Sequence, residues 1–144
     1  MAKKEKSNNQ IVGNTGLYYI CYELSKRGWN VLPTSRNARG VDILIYDQKA
    51  QRKFTIQVKA LSKRDPVPLG NKKDTLIADF FIIIRNVMEE IGKLECYITT
   101  PESIKNKIHE GVSPKTGKKS YWLQPNDYEE FQNNWGIIPN QAIA

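Results

Sequence analysis

The chain has 144 residues, of which 40% are hydrophobic and 10% aromatic, which is the size and composition of a single globular domain. Lys and Arg number 22 against 15 Asp and Glu, and the net charge of +7 favours a polyanionic partner, although it also fits a solvated surface. No apolar run approaches the roughly 20 residues of a membrane helix, so a membrane protein is excluded. The basic N-terminus lacks the apolar stretch of a secretory signal, and we expect a cytoplasmic protein.

Metal-ligating residue types are scarce. The cysteines are Cys21 and Cys96, both in apolar surroundings, and the single histidine is His109. A zinc site needs about four such ligands, so we interpret the cysteines as buried free thiols. His109 closes a predicted helix, and we expect it on the surface.

The predicted elements begin with a basic tail over residues 1–10, expected to be mobile, and a single domain over residues 11–144. Apolar residues at helical spacing over residues 12–28, with Gly28 as a stop, predict an amphipathic helix. Residues 29–34 predict a short strand, and residues 35–40 form a polar segment with two arginines.

A hairpin follows, with strands over residues 41–46 and 54–60 and a polar turn between them. Residues 61–74 hold two prolines, a glycine and four basic residues, and we expect a long exposed loop. The remaining predictions are a buried central strand over residues 75–87, a neighbouring strand over 95–100, a helix over 101–111, a basic loop leading into a short strand over 113–123, and a helix over 126–136 with Tyr128, Phe131 and Trp135 on one side. This order predicts a mixed α/β sheet of about five strands flanked by helices.

The hairpin places polar groups among its apolar residues. Gln57 and Lys59 share one face of the second strand because side chains alternate. A register that pairs Tyr46 with Lys53 sets Asp42 opposite Gln57, so we expect a carboxylate, an amide oxygen and an ammonium on one face. Oxygen ligands on rigid strands suit Mg²⁺, and a neighbouring lysine can orient water or stabilise charge on a phosphate.

"GVD", followed after fourteen residues by "QVK", resembles the active-site motif of the PD-(D/E)XK nuclease superfamily, which has the restriction endonuclease-like fold. The order of elements over residues 12–109 is similar to the common core of that superfamily. Within it, the chain is most similar to small bacterial members and to archaeal junction resolvases.

The resemblance implies a metal-dependent DNA endonuclease of restriction, defence or repair. Asp42, Gln57 and the carbonyl of Val58 would bind Mg²⁺ or Mn²⁺, and Lys59 would position the attacking water. Phosphate contacts are expected from loop residues next to the site, namely Arg36, Arg39, Lys63 and Arg64. DNA is the expected partner, and a homodimer is left open.

The chain departs from the superfamily pattern at three positions. Val41 replaces the proline before the aspartate, and Gln57 replaces the second acid, as in a QxK variant. Many members also carry a metal-orienting glutamate on the first helix. By spacing from Gly28 that position falls near Leu17 here, and Glu23, the nearest acid, is the candidate for this catalytic role.

Two alternatives stay open. The chain is a catalytically inactive relative that binds nucleic acid or serves as a subunit of a larger complex, or the polar residues of the hairpin are architectural. In the second case Asp42 caps a strand end, Gln57 satisfies an edge amide and Lys59 pairs with Asp42 in a salt bridge.

Overall fold

The structure is a computed structural model that describes residues 2–34, 40–72 and 75–140, with side chains from residue 9 onward. The longer helix is Ala2–Lys26 (α1), and two single-turn helices follow at Pro101–Ile104 (α2) and Pro125–Tyr128 (α3). The strands are Asn30–Pro33 (β1), Ile43–Tyr46 (β2), Lys53–Ala60 (β3), Val67–Gly70 (β4), Phe80–Arg85 (β5), Glu95–Thr99 (β6), His109–Val112 (β7) and Lys119–Leu123 (β8).

Two sheets contain these strands. The larger has the order β1-β2-β3-β5-β6, and the smaller has the order β4-β8-β7. β3 and β5 run parallel, whereas the other paired strands are antiparallel. The fold is therefore mixed α/β, as the order of predicted elements indicates.

The central strand β5 separates two hydrophobic clusters. All six of its residues are buried, and alternate side chains enter opposite faces of the sheet. Ile82 and Ile84 pack with α1 and the apolar residues of β2 and β3, while Phe81 and Ile83 pack with the smaller sheet and Tyr128. The larger sheet thus lies between α1 and the smaller sheet.

Helix α1 packs on the larger sheet through residues four apart. Val12, Ile20 and Leu24 are buried, and Gly16 continues the row where the helix crosses β3. A Cβ at Gly16 would lie 2.5 Å from the Cβ of Ala60, so the helix and the strand approach each other there through a position without a side chain. The helix ends at Lys26, two residues before the predicted stop at Gly28, whose φ of 93° favours glycine.

Several sequence predictions are confirmed. The hairpin pairs Tyr46 with Lys53 as expected, β5 is the buried central strand, and β6 is its neighbour. Cys21 and Cys96 are free thiols; Cys96 is buried as predicted, whereas Cys21 is only half-buried. Among the described residues, no helix has the length and apolar character needed to cross a membrane.

Other predictions are wrong at the N-terminal and central segments. Helix α1 already begins at Ala2, so the segment 2–10 is helical where a tail was expected. The loop expected over residues 61–74 contains β4, because Val67 and Leu69 alternate with exposed residues and fill the second cluster.

The C-terminal third also differs from the prediction. The helix predicted over residues 101–111 ends after one turn and a 3₁₀ segment, and His109 begins β7 instead. The last predicted helix breaks into α3 and two 3₁₀ segments. Tyr128 and Phe131 consequently pack against the second cluster, while Trp135 packs against the first.

Candidate active site at the end of β2

The candidate site lies where β3 continues beyond β2. β2 pairs with residues 53–56 of β3, whereas β5 pairs with residues 56–60 on the other side. The second half of β3, from Gln57 to Ala60, therefore has an edge that β2 does not cover. Backbone groups on such an edge need other partners.

Asp42 lies at this edge and supplies one of those partners. Its backbone N–H donates to the carbonyl of Ile56 at 2.8 Å, although Ile56 is the register partner of Ile43. Asp42 and Ile43 thus both face Ile56, which is the pattern of a β-bulge. At a bulge, side chains no longer alternate strictly between the two faces of the sheet. The Asp42 carboxylate accepts a 2.7 Å hydrogen bond at Oδ2 from the backbone N–H of Val58.

The Val58 carbonyl faces the same edge. In a strand the N–H and C=O of one residue point toward the same neighbouring strand, and the Val58 N–H is directed to Asp42. Asp42 and Val58 therefore offer a carboxylate oxygen and a backbone oxygen on one side of β3, as the sequence predicts for two of the metal ligands.

A cleft of about 280 Å³ opens beside Asp42. Its lining comes from α1, from the residue after β1, from the residue before β2 and from β3. These residues are Gly13, Asn14, Leu17, Thr34, Asp42, Val58 and Ala60. Thr34 is fixed by two hydrogen bonds, from its backbone N–H to the Asp42 carbonyl at 2.9 Å and from its hydroxyl to the Val41 carbonyl at 2.6 Å. The carboxylate is thus held between the first helix and the open edge of β3.

Gln57 and Lys59 do not line the cleft. Their register partners on β5 are Phe81 and Ile83, which belong to the second cluster, so both side chains leave β3 on the face away from α1. The prediction that Asp42 shares their face is therefore wrong. The bulge, which alternation does not foresee, turns Asp42 toward Val58.

Gln57 and Lys59 nevertheless have polar atoms without partners. Gln57 Oε1 is buried and accepts no hydrogen bond from the described residues. Lys59 is half-buried and forms no ion pair with any residue in the described ranges, so the Asp42–Lys59 salt bridge of the architectural alternative is not formed. The proposed strand-end role of Asp42, in contrast, is present in its bond to Val58.

Glu23 lies away from the cleft. It is nine residues after Asn14, which corresponds to about 13 Å along a helix. Its carboxylate pairs with Lys26 at 3.7 Å and with Arg27 at 3.6 Å. Burial, followed by the Glu23 carboxylate, raises the pKa of Tyr19 to about 12. Leu17, the position that corresponds by spacing to the superfamily's helix glutamate, does line the cleft.

The expected phosphate contacts fall into three groups. Arg64 is bound to Glu129 and donates to Asn126 Oδ1 at 3.2 Å. Lys63 is exposed and forms no ion pair with a described residue. Arg36 and Arg39 lie outside the described residues, so the structure does not place them.

Asn14 and Thr34 are the polar cleft residues that the sequence predictions missed. Asn14 precedes Leu17 by three residues and therefore shares a helix face with it. Asparagine is also a poor residue for a helix interior, and these two facts together could have indicated it. Thr34 follows β1 without any distinguishing pattern.

The oxygen donors at this edge fit a hard cation. Within residues 2–34, 40–72 and 75–140, no three His, Cys, Asp or Glu side chains come together, so Asp42 would be the carboxylate and other oxygens would complete the set. Mg²⁺ accepts such a set because it binds through one or two protein groups and keeps several waters. The buried Gln57 Oε1 without a donor is the kind of atom that a cation or its water would satisfy.

No protein-family model matches the chain, and neither a curated protein nor a solved structure does.

Proposed function

We propose that the protein is a metal-dependent DNA phosphodiesterase of restriction endonuclease-like fold that acts in the cytoplasm. The observation that carries the proposal is the Asp42 carboxylate, which the Val58 N–H fixes at an open strand edge beside the cleft. On the opposite face of β3, the buried Gln57 Oε1 has no hydrogen-bond partner among the described residues. Buried polar atoms without partners cost free energy unless a ligand or water satisfies them. A cation at the open edge of β3 would satisfy the Asp42 carboxylate, and the proposal requires Gln57 and Lys59 to reach round that edge from the opposite face.

In this proposal each residue has one role. Asp42 and the Val58 carbonyl would hold Mg²⁺ or Mn²⁺, which when bound activates water and offsets negative charge on a phosphate. Gln57 Oε1 would join them by reaching round the open edge of β3 from the other face. The Val58 N–H keeps the Asp42 carboxylate in position. Lys59 would orient the attacking water or stabilise charge on the phosphate, and Lys63 would contact the DNA backbone without reading its sequence.

The second candidate is a nuclease-fold protein that binds nucleic acid without cleaving it, alone or as a subunit of a larger complex. The lining of the cleft favours it in one respect. Among the described residues that line the cleft, Asp42 is the single carboxylate, and one of its oxygens already accepts the Val58 N–H. A neutral amide at Gln57 also attracts a divalent cation less strongly than a carboxylate would.

One experiment distinguishes the two candidates. Single-stranded, duplex and branched DNA are incubated with the protein in Mg²⁺, in Mn²⁺ and in EDTA, with Asp42→Asn as the matched variant. Cleavage that needs the metal and is lost in Asp42→Asn supports the phosphodiesterase. Metal-independent binding of the same DNA by both proteins, with no cleavage, supports the inactive relative.

A further inference from the structure

The outer side of α1 carries an exposed row of large side chains. Ile11, Tyr18 and Tyr22 are 48%, 62% and 57% exposed. Steps of seven and four residues return to nearly the same side of a helix, and the buried residues of α1 lie on the opposite side. We refer to Ile11, Tyr18 and Tyr22 as the outer row. A large apolar group that no neighbour covers indicates an interaction surface.

Positive charge accompanies the outer row at its C-terminal end. The Nζ of Lys26 lies 5.2 Å from the centre of the Tyr22 ring. Glu23, which follows Tyr22 in the chain, has a side chain only 12% exposed and pairs with both Lys26 and Arg27. An anion approaching the row therefore meets Lys26 rather than a free carboxylate.

The outer row borders the candidate active site. Asn14 lines the cleft, and Tyr18 follows it by one helical turn, about 6 Å along the axis. Asn14 and Tyr18 are neighbours on the helix surface because their separation is four residues. A flexible chain lying on the outer row would thus reach the cleft that contains Asp42.

We propose that the outer row binds unpaired nucleic acid, with bases stacked on Tyr18 and Tyr22 and phosphates near Lys26. The proposal deepens the proposed function and rests on it for the class of ligand. Exposed tyrosines beside positive charge bind single strands because unpaired bases present their faces, whereas a duplex keeps its bases stacked inside. A second copy of the chain is the competing occupant, but it brings the same net charge of +7 to the contact.

The test measures binding of a fluorescein-labelled 20-nucleotide oligo(dT), and of a blunt duplex of equal length, by fluorescence anisotropy in EDTA. The proteins are the parent, Tyr18→Ala, Tyr22→Ala, the double variant, and Tyr18→Phe, which keeps the ring. Ile91→Ala, at an exposed position on the β5–β6 connection, serves as the matched control. Each tyrosine-to-alanine change should weaken single-strand binding roughly tenfold, since one stacked base is lost. Tyr18→Phe, Ile91→Ala and duplex binding should change by less than about twofold.

The remaining outcomes are decisive against the proposal. Unchanged single-strand affinity in the double variant, or an equal loss for duplex and single strand, would overturn it. Loss of a dimer in sedimentation with unchanged DNA affinity would assign the outer row to a second copy instead. Because binding is read in EDTA, absence of any nuclease activity would refute the proposed function while leaving the assignment of the row intact.

Discussion

At the scale of single residues, Asp42 combines a structural and a chemical task. Its Oδ2 accepts the Val58 N–H, and asparagine retains an oxygen that can accept the same bond. We therefore predict that Asp42→Asn changes the free energy of unfolding by less than about 1 kcal/mol and abolishes cleavage, whereas Asp42→Ala also loses roughly 1 kcal/mol of stability. Urea titrations and a cleavage assay measure the two effects separately, and cleavage by Asp42→Asn would refute the metal site.

Lys59 gives a second prediction of the same kind. No described carboxylate pairs with its half-buried side chain, so Lys59→Ala should remove no ion pair and leave the melting temperature close to that of the parent. Cleavage should be lost, because the water-orienting ammonium is gone. An early-melting Lys59→Ala would instead show that the lysine supports the fold.

Gln57 tests whether its buried oxygen is a ligand. If Gln57 Oε1 binds the cation, Gln57→Glu adds a charge at nearly the same length, so calorimetry should show tighter Mg²⁺ binding and cleavage should need less Mg²⁺. If the residue is architectural, the new carboxylate is buried without an ion on the face of β3 opposite to Asp42, and stability falls because burial disfavours the charged form.

The control for this change is Gln51→Glu, which alters charge equally at an exposed residue between β2 and β3. It should leave Mg²⁺ binding and the melting temperature unchanged. Unaltered Mg²⁺ binding together with a lower melting temperature in Gln57→Glu would identify the polar residues of the hairpin as architecture.

At the scale of elements, the contact between α1 and β3 depends on Gly16. A Cβ there would lie 2.5 Å from Ala60 Cβ and 3.0 Å from Ile84 Cγ2. Gly16→Ala should therefore destabilise the protein by about 1–3 kcal/mol through overpacking, although alanine is the better helix former. Gly13→Ala, whose Cβ would meet nothing within 4 Å, should gain up to about 1 kcal/mol in the same denaturation experiment. A stabilised Gly16→Ala would show that helix and strand separate easily.

Elements with strong local patterns could be predicted from the sequence, and others could not. The spacing of Ile20 and Leu24 and the stop at Gly28 indicate α1, and the continuous apolar run indicates β5. β4 was missed because Pro66 and Pro68 flank Val67 and conceal a short alternating strand whose partner, β8, lies about fifty residues later. Pairing over such distances is decided by tertiary packing, which local propensity does not contain.

The candidate site was predictable in sequence position but not in geometry. Residue types and spacing selected Asp42, Gln57, Val58 and Lys59, and the Tyr46–Lys53 register is confirmed. Strict alternation then placed Asp42 on the wrong face, since a bulge at the strand end leaves no mark in the hydrophobic pattern. Asn14 reaches the cleft only through the packing of α1 on β3.

At the scale of the whole molecule, a charged residue joins the layers of the fold. Arg85 is 6% exposed and donates to Glu95 at 2.9 Å, and its guanidinium lies 4.9 Å from the centre of the Tyr97 ring and 5.8 Å from that of Tyr128. The hydrogen bonds from Arg85 and Tyr97 lower the pKa of Glu95. Nε and Nη1 of Arg85 are buried without a hydrogen-bond partner among the described residues, so the rings and the single carboxylate compensate only part of this buried charge.

The net charge of +7 gives a prediction for the molecule as a whole. Binding of DNA by lysines and arginines releases counterions, so affinity should fall roughly a hundredfold between 50 and 200 mM salt if about four phosphates are contacted. Anisotropy titrations in EDTA measure this slope without cleavage. An affinity that does not depend on salt concentration would refute the proposal that nucleic acid is the partner.

The hydrogen bond from Val58 to Asp42 makes one backbone amide a spectroscopic sensor of the site. The chemical shift of an amide proton depends on the charge and distance of its acceptor, and here the acceptor is the proposed cation ligand. In a ¹⁵N-labelled sample, Mg²⁺ should move the Val58 cross-peak first and furthest, while the amide of Ile98 on the remote strand β6 stays in place. If the Val58 cross-peak does not shift with Mg²⁺, the Asp42 carboxylate accepts the Val58 hydrogen bond but does not bind the cation.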